Sequence, residues 1–364
     1  MAATASDKRA TSAVTYAAAG VDIEAGDRAV ELMKASIAKA GRPEVLGGIG
    51  GFAGLFRADA LKSMRAPLLA TSTDGVGTKV AVAQRMDVHD TVGIDLVAMV
   101  LDDLVVCGAE PLFMTDYIAC GRVVPQRIAA LVAGIAEGCR RAGAALVGGE
   151  TAEHPGLLGP DEYDLAGAGT GVVDEPDLLG AHRVRAGDVV IGMAASGLHS
   201  NGYSLARHVF FTSAGWDVHR QVPELGRTLG EELLEPTRVY SLDCLALLRA
   251  GADGPALDVH ALCHVTGGGL AGNLERVLPA EVDAELDRTS WTPAPIFGLV
   301  GAMGRVERAE LERTLNMGVG MVAVVAAEAA DAVLDRLARR DLAAWHLGRI
   351  VAGTGRAVLH GEHP

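Results

Sequence analysis

Apolar residues recur along the chain at spacings that predict a mixture of helices and strands. Between residues 24 and 40 they fall at positions 29, 30, 33 and 37, which form one face of a helix. In the first half, strands are predicted at 68–72, 112–119, 144–147 and 165–173, and helices at 94–106 and 126–142. In the second half, strands are predicted at 188–195, 319–325 and 343–350, and helices at 204–213, 237–249, 270–277, 309–315 and 329–339.

A polar, turn-rich stretch at residues 174–187 separates the two halves. At roughly 150 residues per domain, a chain of 364 residues has the length of two domains, so we place the boundary in this stretch. The expected N-terminal domain is 15–173 and the expected C-terminal domain is 174–364, after an Ala/Ser/Thr-rich tail at 1–14 that is expected to be disordered. Because strands and helices mix without strict alternation in both halves, the pattern favours an α+β fold.

Composition excludes several classes of function. The formal net charge of −14 argues against nucleic acid and anionic membranes as partners. The five cysteines are odd in number and widely spaced, which argues against a disulfide framework or a zinc site and suits a reducing cytoplasm. No run of ~18 apolar residues predicts a membrane span, and the first residues lack the apolar segment of a signal peptide.

Two glycine-rich segments of the first half suit phosphate binding. Residues 47–54 contain five glycines, whose amides can approach an anion closely, although taken alone this segment is better explained as a flexible surface loop. Residues 73–79 (TDGVGTK) combine Asp74, a hard oxygen ligand for Mg²⁺, with two glycines and Lys79, a point charge for phosphate. An Asp-Gly turn before a helix is the alternative, but the complete segment favours a functional role.

Three further segments carry polar groups beside predicted strand ends. Residues 148–153 (GGETAE) place acids after a strand, where they either face a ligand crevice or cap a helix. Residues 196–205 (SGLHSNGYSL) and 264–270 (HVTGGGL) place Ser, Thr, His and glycines between a strand and a helix, which suits a phosphate group. Ordinary strand-to-helix turns are the alternative, and the presence of two such loops in one domain weakens it.

The apolar helix predicted at 94–106 contains three aspartates. Asp95 and Asp102 are seven residues apart and lie on one face, and Asp103 is one position further round. Charges inside an apolar helix are costly unless they are paired or bind a ligand. One of the two adjacent aspartates is expected to face solvent, and we expect Asp103, as well as Asp95, to point inward.

Together these segments resemble the phosphoribosylformylglycinamidine cyclo-ligase (aminoimidazole ribonucleotide synthetase) family. The resemblance runs from about residue 16 to residue 351, with the motifs in the family's order and spacing. The matching segments are 73–79, 93–99, 148–153, 196–205, 264–270 and 316–321. DGVGTK and TGGG are shared across a wider ATP-using superfamily, whereas the combination of GGETAE, SGLHSNGYSL and HVTGGGL is specific to the cyclo-ligases.

The resemblance implies a two-domain fold and a reaction. An N-terminal α/β domain would close a barrel with the sheet of its dimer mate, and a C-terminal α+β domain would pack beside it, with ATP in the cleft. ATP would activate the formamide oxygen of formylglycinamidine ribonucleotide as an iminophosphate. Attack by the amidine nitrogen would then give 5-aminoimidazole ribonucleotide, ADP and phosphate in cytoplasmic purine biosynthesis. Mg²⁺ and a monovalent cation such as K⁺ are the implied cofactors, and the partners are the two small-molecule substrates and a second copy of the chain.

The resemblance also implies roles for individual residues. Catalytic roles fall to His199 and Lys79. The residues expected to bind ATP are Gly50, Gly51, Gly54, Asp74, Gly75, Gly77, Thr78, Lys79 and Glu150. The residues expected to bind the ribonucleotide are Ser200, Asn201, Gly202, Thr266, Gly267, Gly268 and Gly269. The expected metal ligands are Asp74, Asp103 and Asp95.

Two other interpretations stay open. One is another ATP-using enzyme of the superfamily, related to formylglycinamidine ribonucleotide synthetase or thiamine-monophosphate kinase. The other is a nucleotide-binding module without turnover, which is supported by Ala17 and Ala18 at positions where the family usually has Lys and Asp. Two smaller departures are Asp102 in place of the usual Asn and Ala53 in place of a glycine. A selenophosphate synthetase would need a reactive cysteine before Cys107, and the sequence has none there.

Overall fold

The computed structural model describes residues 20–48 and 51–364, so the predicted tail at 1–14 and Gly50 lie outside the described residues. The helices are α1 Ile23–Lys39, α2 Val80–Met86, α3 Val92–Val105, α4 Pro125–Ala142, α5 Tyr203–Arg207, α6 Leu229–Leu233, α7 Ser241–Leu248, α8 Gly269–Leu274, α9 Pro295–Gly304, α10 Arg308–Thr314 and α11 Ala330–Arg339. The strands are β1 Val45–Leu46, β2 Leu55–Phe56, β3 Pro67–Gly75, β4 Glu110–Cys120, β5 Ala145–Glu153, β6 Tyr163–Asp174, β7 Val189–Ala194, β8 Gln221–Val222, β9 Arg227–Thr228, β10 Val259–His264, β11 Val282–Asp287, β12 Val319–Val325, β13 Ala344–Ala352 and β14 Ala357–His360.

The chain folds into two α+β domains, each built on its own sheet. The N-terminal sheet has four strands in the order β3-β6-β4-β5, in which β4 and β5 are parallel and the other pairs are antiparallel. The C-terminal sheet has six strands in the order β10-β12-β7-β13-β11-β14. The first sheet ends at Asp174 and the second begins at Val189, on either side of the polar stretch.

Helices α3 and α4 cover one face of the N-terminal sheet. Glycines on β6 permit this close packing, since a Cβ at Gly167 would meet Met114 and one at Gly169 would meet Leu101. Helix α3 is apolar around its whole circumference, and every residue from Val92 to Val105 except Asp103 is buried. A helix of this kind belongs in the centre of a domain rather than on its surface.

The opposite face of the N-terminal sheet has no covering layer in the described chain. Leu69 on β3 is 66% exposed and Tyr117 on β4 is 41% exposed. The alternating pattern along β4, with Met114 and Ile118 buried beneath the helices, shows that only one face is packed. The exposed face is therefore a surface on which apolar side chains meet solvent.

Most predicted elements form close to their predicted positions, and a few differ. Strand β12 at Val319–Val325 matches its prediction in full, and α1 begins one residue earlier than predicted. The prediction that the GGETAE segment comes after a strand is wrong, because β5 runs through this segment to Glu153. Strand β14 follows the strand that was predicted to be the last. Helix α9 was missed because its short apolar stretch has no polar face to show a helical period.

Candidate active site

Helix α3 holds the two domains together through its aspartates. Asp95 accepts hydrogen bonds from the backbone N–H (2.8 Å) and the hydroxyl (2.6 Å) of Thr237. Two turns further on, Asp102 accepts from the Tyr240 backbone N–H (3.0 Å) and the Ser241 hydroxyl (2.7 Å). Both carboxylates are fully buried. Their spacing of seven residues on one helix face therefore fixes residues 237–241 of the C-terminal domain against the N-terminal domain.

The Lys79 ammonium lies in the same buried interface. It donates to Asp95 Oδ1 (2.9 Å) and to the backbone carbonyls of His199 (3.0 Å) and Glu235 (2.6 Å). Neither Lys79 nor Asp95 has any exposed side-chain surface. Because an ammonium group carries three protons, these three acceptors use all of its donors.

Burial lowers the pKa of Lys79 and raises the pKa of Asp95, and the attraction between the two charges opposes both shifts. The Thr237 hydroxyl and N–H further favour the ionised carboxylate. The sequence placed Lys79 against ATP phosphates and Asp95 on a metal ion. The structure corrects both expectations of position, because it buries these side chains against each other and away from solvent.

The prediction that Asp103 points inward is wrong. Asp102 is the buried member of the adjacent pair, whereas the Asp103 side chain is 42% exposed. Successive helix positions point about 100° apart, so only one of the two can face the interior. Burial raises the pKa of Asp102 to about 6. Asp103 Oδ1 instead lies 2.9 Å from Nδ1 of His264 at the end of β10.

His199 is held in a strained backbone conformation. Its φ of 63° lies in the left-handed region, which side chains other than glycine rarely adopt. Its Nε2 accepts a hydrogen bond from the Ser196 N–H (3.1 Å), so the neutral ring carries its proton on Nδ1, which has no partner among the described residues. Burial, followed by the nearby His264 and Lys79, holds the pKa of His199 well below its usual value. The imidazole is therefore neutral at physiological pH.

A glycine lets this ring fit beside the C-terminal sheet. A Cβ at Gly320 on β12 would collide with the hydroxyl of Tyr240 and with the His199 ring. The Tyr240 hydroxyl donates to the Ala194 carbonyl (2.7 Å) at the end of β7. The rings of His199 and Tyr240 are 6.1 Å apart between centroids. Position 320 therefore has room only for hydrogen.

The 196–202 loop contacts the 266–269 loop, and both were predicted to bind the ribonucleotide phosphate. The amide nitrogen of Asn201 lies 3.9 Å from the position of a Cβ built at Gly267. The Ser200 hydroxyl is buried and lies 3.3 Å from that of Thr237. Gly202 has a φ of 76° and packs closely on Leu315, so a side chain there would be excluded.

The 266–269 loop is organised by Asn273, a residue that the sequence did not single out. The Asn273 amide donates to the carbonyls of Thr266 (3.2 Å), Gly267 (3.2 Å) and Gly269 (2.8 Å). The Thr266 hydroxyl donates to Asn273 Oδ1 (3.3 Å). Gly268 and Gly269 have φ values of 103° and 70°, which explains why two glycines are needed here.

The TDGVGTK segment faces this pair of loops from the N-terminal domain. Thr78 Oγ1 lies 3.3 Å from Ser204 Oγ, immediately after the 196–202 loop. Asp74 is exposed, and its Oδ1 accepts only from the Gly75 N–H (2.7 Å) among described residues. Gly77 has a φ of 72°, so it forms the turn into the helix. The exposed end of this segment lies beside the C-terminal loops.

The remaining residues predicted to bind ATP lie along β5. A Cβ at Gly54 would clash with the Val147 backbone, so the end of the glycine loop packs directly on this edge strand. A Cβ at Gly51 would make only an ordinary contact, 3.7 Å from the Ala53 carbonyl oxygen. Glu150 on β5 is exposed, and its Oε1 accepts from the Thr151 N–H (3.0 Å).

The carboxylates do not form a closed metal site. No group of three or more His, Cys, Asp or Glu side chains suitable for a metal ion occurs in residues 20–48 and 51–364. Asp74 pairs with Gly167 on β6, and Gly167 packs against Leu96 of α3. Asp74 therefore lies at the same height along α3 as Leu96. Asp103 is seven residues further along α3, about 10 Å at 1.5 Å per residue. Each exposed carboxylate is therefore suited to an ion that arrives with a nucleotide, because Mg²⁺ commonly uses one or two carboxylates plus phosphates.

A further buried carboxylate of the N-terminal domain, besides Asp95 and Asp102, is not among the residues predicted from the sequence. Asp116 on β4 borders a cavity of about 260 Å³ between α1, α4 and β5, lined mainly by apolar side chains such as Met33, Val132 and Leu146. Its side chain occupies the space that a Cβ at Gly149 would fill. Burial raises the pKa of Asp116 to about 7. An alternating strand pattern could have shown this position as inward-facing, but gave no reason for an acid there.

Family models match both halves of the chain. One, described as AIR synthase related protein, N-terminal domain, matches residues 59–173. The other, described as AIR synthase related protein, C-terminal domain, matches residues 185–360.

Curated proteins named phosphoribosylformylglycinamidine cyclo-ligase are similar to the chain over nearly its full length. The one from Brevibacillus brevis is 48% identical over 346 residues, which cover 95% of this chain and 98% of that protein. The one from Anaeromyxobacter sp. (strain K) is 53% identical over 340 residues, which cover 93% and 96%. The one from Geobacillus kaustophilus is 48% identical over 349 residues, which cover 96% and 99%.

Solved structures share the fold at lower sequence identity. Thiamine-monophosphate kinase from Stenotrophomonas maltophilia superposes with a TM-score of 0.65 at 22% identity, covering 92% of this chain and 96% of that one. A hydrogenase maturation protein in complex with ATP has a TM-score of 0.60 at 18% identity, covering 92% and 90%. These two likenesses show the common two-domain fold and nothing more specific.

Proposed function

Because the chain belongs to the AIR synthase family and its curated relatives are phosphoribosylformylglycinamidine cyclo-ligases, we propose that it closes the ring of 5-aminoimidazole ribonucleotide. It is an ATP-dependent ligase that forms a carbon–nitrogen bond in purine biosynthesis. The substrates are ATP and formylglycinamidine ribonucleotide, and the reaction releases ADP and phosphate. The formamide oxygen takes the phosphoryl group, the amidine nitrogen attacks the activated carbon, and phosphate leaves.

The observation that carries the proposal is the meeting of the exposed TDGVGTK turn with two glycine-containing loops of the other domain. Thr78 lies 3.3 Å from Ser204, and Asn201 lies against Gly267. A phosphoryl transfer between two anionic substrates depends on positioning and on neutralised charge more than on a covalent intermediate. A cleft with phosphate-binding turns on both walls meets this need.

We assign the ATP side of the cleft to the N-terminal domain. The exposed turn at 74–78, Glu150 and the glycine loop ending at Gly54 all lie on this domain. Mg²⁺ bound with the nucleotide would neutralise phosphate charge, and Asp74 and Asp103, which are too far apart to share one ion, would each supply a carboxylate to a separate ion. A requirement for K⁺ stays a prediction from the resemblance.

We assign the ribonucleotide phosphate to the C-terminal loops. Gly267 and Gly268 lead into helix α8, which begins at Gly269, and Asn201 borders Gly267. The Gly269 N–H donates to the Thr266 carbonyl (3.1 Å), so the N–H groups of Gly267 and Gly268 are the ones we assign to the phosphate, with the Ser200 hydroxyl in the facing loop. Two anions held on different walls of one cleft repel each other less than two held together. His199 is our candidate for polarising the formamide oxygen, because its neutral ring keeps an Nδ1–H that no described residue accepts.

The proposal extends to a cytoplasmic homodimer. The uncovered face of the N-terminal sheet exposes Leu69 and Tyr117, and pairing with a second copy would remove this apolar surface from water. Light scattering at micromolar concentration should give twice the chain mass. A Leu69→Glu variant should shift the protein toward a monomer, and a monomeric wild-type protein would contradict this part of the proposal.

A steady-state assay tests the proposed reaction. ADP release should require both Mg²⁺ and formylglycinamidine ribonucleotide, and should be matched mole for mole by 5-aminoimidazole ribonucleotide. Thiamine monophosphate and formylglycinamide ribonucleotide with glutamine serve as control substrates. Turnover with either control in place of the amidine would assign the chain to another enzyme of the superfamily, and ADP release with none of them would leave a nucleotide-binding module.

A further inference from the structure

The lysine that ends the TDGVGTK segment lies in a different environment from the aspartate near its start. Asp74 is exposed at the cleft, whereas Lys79, five residues later, has no exposed side-chain surface. The side chain leaves the cleft and enters the interface between the domains. A phosphate in the cleft would therefore find no free donor on this lysine, because its three N–H groups already contact Asp95, His199 and Glu235.

The three acceptors belong to three different parts of the molecule. Asp95 lies on α3 of the N-terminal domain, the His199 carbonyl lies in the 196–202 loop, and the Glu235 carbonyl precedes Thr237. Asp95 in turn accepts from Thr237, so the ammonium and the carboxylate hold residues 235–237 from two sides. One buried charge thus connects the N-terminal domain to both C-terminal segments that border the site.

The contact with His199 has a specific consequence. The left-handed backbone at His199 directs its carbonyl to Lys79, and its ring accepts from the Ser196 N–H. A conformation that is sparsely populated in a free chain persists only when surrounding contacts hold it. Lys79 supplies the contact on the backbone side and Ser196 supplies the contact on the ring side.

We propose that Lys79 is a positioning residue, which locks the 196–202 loop and residues 235–237 onto the N-terminal domain, and does not bind the ATP phosphates. The ion pair with Asp95 keeps the ammonium charged in the interior, and the two carbonyl contacts transmit its position to the loop that presents His199. The catalytic consequence rests on the proposed function, since it assumes that His199 contacts the substrate. The structural consequence, a rigid loop, is independent of that function.

Lys79→Met tests the proposal, with Lys62→Met as the matched control. Lys62 is an exposed lysine whose ammonium contacts only Asp59 in the described chain. In the full-length protein, amide hydrogen exchange of residues 196–202 and 235–241 should accelerate at least tenfold in Lys79→Met and remain unchanged in Lys62→Met. Calorimetric binding of a non-hydrolysable ATP analogue with Mg²⁺ should change less than twofold, while kcat falls at least tenfold.

The opposite pattern would overturn the proposal. A tenfold weaker binding of the ATP analogue with unchanged exchange of the two segments would make Lys79 a phosphate ligand.

If Lys79→Met fails to fold, Thr237→Val takes its place, because it removes one donor to Asp95 and leaves both charges. That variant should speed exchange of the same segments severalfold with analogue binding unchanged, and unaltered exchange would equally overturn the proposal. If the wild type shows no amidine-dependent turnover, the proposed function is refuted but the role of Lys79 is not. The hydrogen-exchange measurements on residues 196–202 and 235–241 would still decide that role.

Discussion

The two ends of one short motif have opposite environments. Asp74 lies exposed at the open cleft, where its carboxylate accepts only from the adjacent Gly75 N–H among the described residues and so remains available to a ligand. Lys79 lies in a closed polar interface, where every donor already has an acceptor within the protein. Charged residues in the same motif can therefore serve different purposes, one for binding and one for assembling the surface that binds. Exposure and unused hydrogen-bonding capacity separate the two roles, whereas sequence proximity does not.

Breaking the closed interface should have the largest effect. Asp95→Leu leaves the Lys79 ammonium buried without its counter-charge and should lower the free energy of unfolding by about 3–5 kcal/mol. The double variant Lys79→Met/Asp95→Leu removes both charges and should lose less than the single variant. Urea unfolding followed by fluorescence measures both. A single variant within about 1 kcal/mol of wild type would show that the pair is not a charged contact.

Asp116 sharpens the comparison because it is buried without a cation. Burial raises its pKa from 3.8 to about 7, so the folded state binds a proton that the unfolded state has released. The associated stability is complete below about pH 4 and is lost as the pH rises through about 7. Asp116→Asn should therefore be more stable than wild type at pH 8, by about 2–4 kcal/mol, and should lose this advantage at pH 4. If the free energy of unfolding differs between variant and wild type by the same amount at pH 8 and pH 4, the raised pKa of Asp116 is contradicted.

At the open end of the motif, activity should change and stability should not. Asp74→Asn keeps the shape of the side chain but removes the charge that would hold Mg²⁺. We expect kcat/KM to fall roughly 100-fold, about 2.7 kcal/mol, with the free energy of unfolding within about 0.5 kcal/mol of wild type. The deficit should be greatest when Mg²⁺ is limiting. Near-normal turnover at low Mg²⁺ would exclude Asp74 as a metal ligand.

The smallest expected effect tests which wall of the cleft binds which substrate. Thr266→Val removes a hydroxyl beside the proposed ribonucleotide phosphate site and its contact with Asn273. The KM for formylglycinamidine ribonucleotide should rise roughly tenfold, about 1.5 kcal/mol, while the KM for ATP stays within twofold. A rise confined to the KM for ATP would mean that the two substrates are assigned to the wrong walls.

Local patterns predicted most elements but not the closed interface. Strand β12 and helix α1 follow from apolar spacing within a few residues, which is information the chain carries locally. The contact of Asp95 with Thr237 joins residues 142 positions apart, and no local signal in either segment announces the other. The rotational orientation of α3 about its axis could not be predicted from the sequence either. With apolar residues around the whole helix, no polar face indicates whether Asp102 or Asp103 points inward.

Gly320 has a consequence for how mutational data on this protein would be interpreted. Any side chain at this position would displace the Tyr240 hydroxyl and the His199 ring together. In a selection for growth that depends on the enzyme, variants at position 320 should be depleted as completely as variants of a residue that takes part in the chemistry. A tolerance map alone would therefore assign a reactive role to a residue whose whole contribution is the volume it leaves empty.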